Sequence, residues 1–426
     1  MNSKKLALLS ALAVALIIGS GVRKAAAATT ILVDDDLVQC PTATFTSISA
    51  AVAVASPGDT IQVCAGTYNE VVQVSKTLTI LGAQATVDAR TRAVPITSES
   101  SVGSGDGAFQ ILANNVVIDG FTIRGVNNPP NIFPDALGAG IWTNPGFSGT
   151  NGGHQIRNNI IQNNIIGIEL DNDGIFQTKV ERNLIRNNNE VGPDGGTGID
   201  TNFGLANAVI DSNKIVGNTN SGIGTFGGSS ITVSNNEFAT NRRAIGWGGV
   251  TSSSITGNNI HNSTDAATAD IRFFGGVSGI SITCNTLANG AGIGIRMDDE
   301  CPGCPNSSIN INNNNIFGYA VAGLAVDAGG YSGGVGSLNA ENNWWGSASG
   351  PTIASNPGGA GAVIVDPDGV VDYSPFRASP SMCAPIPSIG PPTNKDQCKN
   401  DGWKNFNTPR TFKNQGDCIQ YANTGK

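Results

Sequence analysis

The sequence predicts an all-β fold, a parallel β-solenoid of about ten coils with an N-terminal helical cap. The first observation is a phrase, apolar-x-x-Asn-x-apolar, that returns eight times. The second is that its Asn positions step by 22–30 residues, a spacing typical of stacked repeats. The third is a further phrase in each copy, a Gly or small residue followed by an aliphatic residue. The Asn positions are Asn159, Asn183, Asn213, Asn236, Asn258, Asn285, Asn314 and, in an imperfect eighth copy with Trp344, Asn342.

Both phrases alternate apolar and polar residues over short runs with Asn and Gly between them, which favours β-strands. The second phrase reads, for example, Gly140-Ile141, Gly167-Ile168 and Gly198-Ile199. Each coil therefore holds two or three short strands, and successive coils stack about 4.8 Å apart. The repeated Asn is expected to be structural, because its amide can bond to the coils on either side. Asn also tolerates the left-handed backbone of a tight corner.

The first element after the N-terminus is the predicted cap. Residues 45–56 favour a short amphipathic helix with Ile48, Val52 and Ala55 on one side, ended by Pro57-Gly58-Asp59. A helix in this place would cover the exposed strand edges of the first coil. The segments that follow it predict the first strands, at residues 60–64, 70–74 and 78–81.

Two segments of this region, Pro57–Glu70 and Lys76–Gly82, resemble the opening of the pectin-lyase-like right-handed parallel β-helix superfamily. The Asn-rich coils resemble the right-handed β-helix repeat of carbohydrate-binding and sugar-hydrolysing proteins, and Glu341–Gly346 resembles the ending of many such helices. The resemblance covers roughly residues 31–377. It implies a right-handed parallel β-helix that binds or modifies polysaccharide.

The residues of known catalytic sets in this superfamily are largely missing. Polygalacturonases carry Gly-His-Gly and Arg-x-Lys elements, and neither occurs here. Pectin methylesterases need further motifs beyond the Gly-Thr-Tyr-x-Glu opening, which is the one part present. We therefore expect binding without turnover. The alternatives are a non-catalytic cell-surface or adhesion solenoid and a divergent polysaccharide lyase or glycoside hydrolase.

Composition limits the partners. Charged residues make up 13% of the chain, and the formal net charge is −8. This acidic chain has no basic stripe, so nucleic acid is not an expected partner. Ca²⁺ is the one cofactor that we expect, and the expected partner is a polysaccharide or cell-surface glycan bound by a monomer.

The chain divides into four parts. Residues 1–28 predict a signal peptide, with an uncleaved anchor as the alternative, and no later stretch predicts a membrane-spanning helix. Residues 29–378 predict the β-helix with its cap, residues 379–393 a Pro-rich linker, and residues 394–426 a small Cys-stapled tail. The expected location is extracellular or at the cell surface, with the periplasm as the alternative.

Eight Cys residues in an exported protein favour disulfides. Cys40 is expected to pair with Cys64, and Cys398 with Cys418. The sequence does not connect the remaining four. A disulfide that staples the Cys301-Pro-Gly-Cys304 loop is favoured over a redox or zinc element. The remaining Cys residues are Cys284, Cys301, Cys304 and Cys383.

Alternation also predicts which side chains point outward from the strand of the second phrase, hereafter the Gly-Ile face. One outward column reads Trp142, Glu169, Asp200, Gly224, Gly246, Arg272, Arg296, Ala325. A parallel column, two residues further on, reads Asn144, Asp171, Asn202, Phe226, Gly248, Phe274, Asp298, Asp327. Longer loops enter beside this strand, which is typical of a walled binding groove.

Three groups on this face are candidate sites. Trp142, Phe226 and Phe274 are candidates for stacking on sugar rings. Glu169, Asp171 and Asp200 are candidate Ca²⁺ ligands. The candidate catalytic residues, with the two Asp residues as a carboxylate pair, are Arg272, Arg296, Asp298 and Asp327. The alternative for the charged groups is an ordinary solvated face with salt bridges between coils.

Overall fold

The computed structural model describes residues 27–127, 138–147, 150–192, 194–202, 204–301 and 303–386. In the C-terminal tail it describes residues 392, 394–399, 403, 406 and 410–426. The predicted signal peptide lies outside these ranges except for residues 27 and 28. No helix within the described ranges combines the length and the apolar composition that crossing a membrane requires.

The chain winds through three parallel sheets, and each of the ten complete coils between residues 60 and 326 adds one strand to sheet 1, then sheet 2, then sheet 3. All pairings between named strands are parallel, and ten strands stack in sheet 2, which confirms the predicted β-helix of about ten coils. Parallel crossovers of this kind are right-handed. The strands β19 (Ser221–Ser234) and β21 (Ile245–Thr256) are long, because each continues from sheet 3 into sheet 1 without a break.

The strand bounds follow the coils. Sheet 1 contains β1 (Thr30–Val33), β2 (Thr60–Val63), β5 (Thr79–Leu81), β8 (Val117–Asp119), β11 (Gln155–Arg157), β14 (Thr178–Glu181), β17 (Leu205–Asp211), the later parts of β19 (Ser221–Ser234) and β21 (Ile245–Thr256), β24 (Ser278–Thr283), β27 (Ser307–Asn312), β30 (Leu338–Asn339) and β32 (Val371–Asp372). Sheet 2 contains β3 (Gly66–Tyr68), β6 (Ser100–Val102), β9 (Phe121–Arg124), β12 (Ile160–Gln162), β15 (Leu184–Arg186), β18 (Lys214–Val216), β20 (Glu237–Ala239), β22 (Asn259–His261), β25 (Thr286–Ala288) and β28 (Asn315–Phe317). Sheet 3 contains β4 (Val72–Val74), β7 (Phe109–Ile111), β10 (Ala139–Thr143), β13 (Ile166–Glu169), β16 (Thr197–Thr201), the first parts of β19 and β21, β23 (Ala269–Phe273), β26 (Ile293–Met297), β29 (Ala322–Val326) and β31 (Ile364–Val365).

The repeated Asn residues form a continuous ladder at the corner between sheets 1 and 2. Asn236 is representative: its Oδ1 accepts from the backbone N–H (2.8 Å) and the side-chain amide (3.0 Å) of Asn213. Its own amide donates to Ile210 O (2.8 Å) and to Asn258 Oδ1 (3.0 Å). This pattern explains why the sequence repeats an Asn there, since an amide both donates and accepts.

Two details of the ladder differ from the sequence prediction. The eighth rung is Asn343, which accepts from Asn314, so the last copy reads Ala340-x-x-Asn343-x-Trp345 and is complete. The left-handed residue of the corner is the one before the ladder Asn, as at Asn235 (φ 54°) and Asn342 (φ 58°). A second ladder, which the sequence reading missed, closes the next corner through Asn164, Asn188, Asn218 and Asn241.

The predicted N-terminal cap is present as α1 (Ile48–Val54), with Ile48, Ala51 and Val52 buried against the first coil. Glu70 accepts from the backbone N–H groups of Ile48 (2.8 Å) and Ser49 (2.9 Å) at the helix start. The Lys76 ammonium donates to three carbonyls at its end, those of Val52, Ala53 and Ala55. Opposite charges therefore complement the two ends of the helix dipole.

The four disulfides are Cys40–Cys64, Cys284–Cys383, Cys301–Cys304 and Cys398–Cys418, which confirms the expected pairs and connects the remaining four Cys residues.

Residues 379–386, the start of the predicted linker, pack on sheet 2, where Ser381 N–H donates to Asn315 and Thr286 donates to Pro385 O. The tail contains α2 (Gln415–Thr424), and the side chain of its N-cap residue Asn414 accepts from Asp417 N–H. Short 3-10 helices span Ile96–Ser98, Pro145–Phe147 and Lys395–Cys398.

Candidate functional site

Strand pairing in sheet 3 places the outward residues of the Gly-Ile face in one column, as the sequence predicts. Trp142 pairs with Glu169, and Glu169 pairs with Asp200. The column continues through Gly224, Gly246, Arg272, Arg296 and Ala325. The inward neighbours Ile141, Ile168 and Ile199 stack in the core with no exposed surface. The aliphatic stack thus fixes which side chains face outward.

The N-terminal end of this face carries buried carboxylates. Glu169 is fully buried and Asp200 is 5% exposed. The Asn202 amide nitrogen donates to Glu169 Oε1 and to Asp200 Oδ2, at 3.3 Å in each case. One amide group thus joins carboxylates from two neighbouring coils.

Burial and the nearby carboxylates change the titration of this pair. Burial, with the charges of Asp200 and Asp171, raises the pKa of Glu169 well above its usual range. Burial, with Asp194 and Asp171, raises the pKa of Asp200 to about 7. A shared proton suits this arrangement, because two buried carboxylates side by side disfavour double ionisation.

The Ca²⁺ site predicted at Glu169, Asp171 and Asp200 remains a prediction. Among the described residues, three carboxylates whose oxygens all lie within 4.8 Å of one another occur elsewhere, at Asp34, Asp35 and Asp36. Trp142, predicted to stack on a sugar, is 3% exposed and packs with Ala139, Ile165 and Ile166. Its ring therefore offers no open face in this structure.

The middle of the face carries two aromatic rings, of which Phe226 is exposed and Phe274 is half-buried. The rings of Phe226 and Phe274 lie 5.7 Å apart, centroid to centroid, and only 14° from parallel. The Phe226 side chain is 53% exposed. The rings come from alternate coils and lean together over Gly248, where an added Cβ would lie 3.3 Å from Phe226 and 3.7 Å from Phe274. We call this pair the aromatic platform.

Two arginines flank the aromatic platform. The Arg272 guanidinium lies 4.6 Å from the centroid of Phe274, and that of Arg243 lies 5.2 Å from it. Burial and the nearby Arg242 and Arg272 lower the pKa of Arg243 to about 10, so it is charged at neutral pH. Phe274 also covers Gly246, where an added Cβ would lie 3.2 Å from the ring. Glycine at this position allows the ring to approach the backbone this closely.

The four residues predicted as catalytic form ion pairs between coils. Arg272 Nε donates to Asp298 Oδ2 (2.5 Å), and the same guanidinium also pairs with Glu300. Arg296 binds both oxygens of Asp327, at 2.6 and 3.2 Å. Each carboxylate of the predicted pair is thus neutralised by its own arginine. This is the arrangement expected of salt bridges between coils, and the catalytic roles stay predictions.

Sequence reasoning missed Arg243 and Glu300. Arg243 lies in the corner just before Ala244-Ile245, where strand alternation no longer tells which way a side chain points. Glu300 lies in the loop after β26, which the Cys301–Cys304 disulfide closes. Both residues lie beside the Gly-Ile strands, in the loops that are expected to wall this face. That position could have identified them as candidates.

A separate polar groove of about 400 Å³ lies along the N-terminal coils, where sheet 2 turns toward sheet 3. Ser101, Arg124, Asn163 and Glu190 are among its lining residues. Arg124 Nε donates to Ser101 Oγ within it (3.0 Å). None of the residues predicted for sugar, metal or catalysis lines this groove.

Comparison with protein families gives one match, to the right-handed β-helix region, at residues 139–267 and 204–361. Together these ranges span 139–361, which is 223 of the 426 residues and more than half of the chain. The comparison with curated proteins found no match.

Several solved structures are similar in fold. Pectate lyase Pel9A is 13% identical, with a TM-score of 0.43 over 68% of this chain and 79% of that chain. The Dettilon tailspike protein is 18% identical, with a TM-score of 0.43 over 71% of this chain and 64% of that chain. The catalytic unit of a GH87 alpha-1,3-glucanase from Streptomyces thermodiastaticus is 15% identical, with a TM-score of 0.41 over 78% of this chain and 66% of that chain. At these values the likeness concerns the fold alone.

Proposed function

The chain belongs to the right-handed β-helix family, and we propose that it binds polysaccharide through the aromatic platform of the Gly-Ile face. The observation that carries the proposal is the pair of nearly parallel rings, Phe226 and Phe274, on a floor of glycines. A flat exposed aromatic surface packs well against the C–H faces of sugar rings. Contiguous exposed apolar surface of this kind marks interaction sites, ligand-binding grooves among them.

The flanking arginines give the platform polar partners. The guanidinium groups of Arg243 and Arg272 lie over the ring of Phe274. Binding sites of this kind combine apolar surface with a few placed polar groups that fix the orientation of the ligand. Export of the protein to an oxidising compartment fits the four disulfides and the encounter with an extracellular glycan.

Binding without turnover is favoured by the pairing of the candidate catalytic residues. Asp298 and Asp327 are each bound to an arginine, so neither is placed as a free nucleophile or base. The aromatic platform needs neither residue in order to hold a glycan.

Affinity electrophoresis tests the proposal. The protein is run through gels that contain soluble acidic or neutral polysaccharides, with and without Ca²⁺. We expect retardation by at least one polysaccharide and no unsaturated or reducing-end products after incubation. Free migration with every polysaccharide contradicts binding and leaves the solenoid as a spacer. Product formation that Asp298→Asn abolishes contradicts the non-catalytic account.

A further inference from the structure

The polar groove of the N-terminal coils runs along the axis of the solenoid. Its lining residues belong to, or directly follow, five successive strands of sheet 2, which are β3, β6, β9, β12 and β15. Since neighbouring strands lie about 4.8 Å apart, the ends of these five strands span about 19 Å. The volume of about 400 Å³ is within the usual range for a ligand site, and the elongated shape suits a segment of a linear chain.

Most of the polar side chains in the groove are uncharged. Thr67, Asn69 and Asn163 are exposed there, and their hydroxyl and amide groups both donate and accept hydrogen bonds. Glu190, also exposed, adds further acceptors. A lining of this kind matches the hydroxyl groups of a sugar chain, which also donate and accept.

Arg124 brings a positive charge into the groove. It is half-buried, and its Nε donates to Ser101 Oγ (3.0 Å). Within the part of the chain that the structure describes, Arg124 forms no ion pair. The bond through Nε therefore fixes the guanidinium and leaves its two Nη groups for a ligand.

The same arrangement returns two coils further on. Arg186 lies in the same outward column of sheet 2, with Gln162 between it and Arg124. It is also half-buried, and its Nε donates to Gln162 Oε1 (2.7 Å). It belongs to the same coil as Glu190, which lines the groove.

The absence of a carboxylate partner distinguishes these two arginines from most others in the described ranges. Arg186, like Arg124, is missing from the ion pairs formed there, although the chain has more acidic than basic residues. A guanidinium whose two Nη groups are unused matches the two oxygens of a carboxylate. The arginines that do pair with Asp or Glu are Arg90, Arg92, Arg157, Arg182, Arg242, Arg272, Arg296 and Arg410.

We propose that this groove binds a segment of an acidic polysaccharide laid along the solenoid axis, with one uronate carboxylate on Arg124 and another on Arg186. The two arginines are two coils apart in one column, about 10 Å, so a chain that crosses the strands meets both. The uncharged side chains of the groove then bind the sugar hydroxyls. The site lies at sheet 2 and does not depend on glycan binding by the aromatic platform.

Isothermal titration calorimetry of the full chain at neutral pH tests the groove. The probes are hexasaccharides of galacturonate and of mannuronate, each with its methyl ester, which keeps the sugar and removes the charge. We expect at least one hexauronate to bind, and its ester to bind at least about tenfold more weakly. Arg124→Gln and Arg186→Gln are each expected to weaken hexauronate binding by a similar factor. Binding of neither hexauronate at millimolar concentration, or equal binding of acid and ester, overturns the proposal.

Arg182→Gln is the matched control. Arg182 also donates through Nε to a neutral side-chain oxygen one coil back, Asn158 Oδ1 (3.2 Å), but it pairs with Glu181 and lies at the other end of β15. The variant removes the same charge and is expected to bind as the wild type does, with melting temperatures as a check on folding. Equal losses in Arg182→Gln and Arg124→Gln would reduce the effect to net charge and contradict the site.

A further comparison separates the groove from the aromatic platform. Loss of hexauronate binding in Phe226→Ala but not in Arg124→Gln places the ligand on the platform and overturns the groove proposal. Loss in Arg124→Gln but not in Phe226→Ala supports the groove, even if no neutral polysaccharide binds to the platform.

Discussion

A ladder asparagine such as Asn236 satisfies buried groups in three consecutive coils at once. It is 1% exposed and bonds to Asn213, Ile210 and Asn258. Buried polar groups of this kind contribute modestly when paired and cost much when a partner is lost. The repeated Asn is therefore explained by the fold, without any role in ligand binding.

Replacing one rung tests this residue-scale account. Asn236→Ala removes the acceptor of two Asn213 donors and the donor to Ile210 O, so we expect a loss of about 3–5 kcal/mol in the free energy of unfolding. Asn189→Ala is the control, because Asn189 also bonds to the next coil, at Gly217 and Thr219, but is exposed. We expect it to cost less than about 1 kcal/mol in urea titration. Similar losses for the two variants contradict the ladder account.

At the scale of single elements, the contacts of α1 explain the charged residues in the two segments that resemble the superfamily's opening. Glu70 and Lys76, both within the resembling segments, bond to the two ends of α1. Asp59 accepts from Thr29 N–H and Ser56 N–H, at 2.8 Å each, and these bonds lower its pKa. The charged residues of this opening therefore hold the cap in place, and their presence carries no information about catalysis.

Lys76→Met tests the cap. The substitution keeps the length of the side chain and removes three hydrogen bonds to the last carbonyls of α1. We expect a loss of about 1–2 kcal/mol in stability, measured by denaturant unfolding. Lys179→Met, at an exposed position of β14, is the control and should leave stability within about 0.5 kcal/mol of the wild type. An equal effect of both variants contradicts the capping role of Lys76.

The buried carboxylates on β13 and β16 predict a pH dependence. The pKa of Asp200 is raised to about 7 in the folded state, chiefly by burial, from an ordinary value of 3.8. The unfolded chain therefore loses this proton at lower pH than the folded chain, so stability falls as pH rises from about 4 to about 7. Asp200→Asn removes the ionisation. We expect its melting temperature to change less than that of the wild type between pH 4 and 7, and a steeper change would contradict the buried pair.

Across the whole molecule, the sequence predicts the strand register and the first Asn ladder, and it misses the second Asn ladder and the contacts at the corners. Stacked isoleucines such as Ile168 and Ile199 determine the strand register, so alternation placed the outward column correctly. Burial of Glu169 and Trp142 could not be predicted, because alternation gives the direction of a side chain and not what packs over it. Arg243 was missed for a related reason, since alternation ends at each corner.

The central claim concerns the aromatic platform, and a comparison of exposed phenylalanines tests it most directly. Phe226→Ala removes one ring of the platform, whereas Phe176→Ala removes a ring that is 43% exposed in the loop before β14. Dissociation constants are to be measured with the tightest-binding polysaccharide of the panel, with melting temperatures as a check on folding. We predict at least tenfold weaker binding for Phe226→Ala and unchanged binding for Phe176→Ala. Unchanged affinity for a folded Phe226→Ala variant would contradict the account.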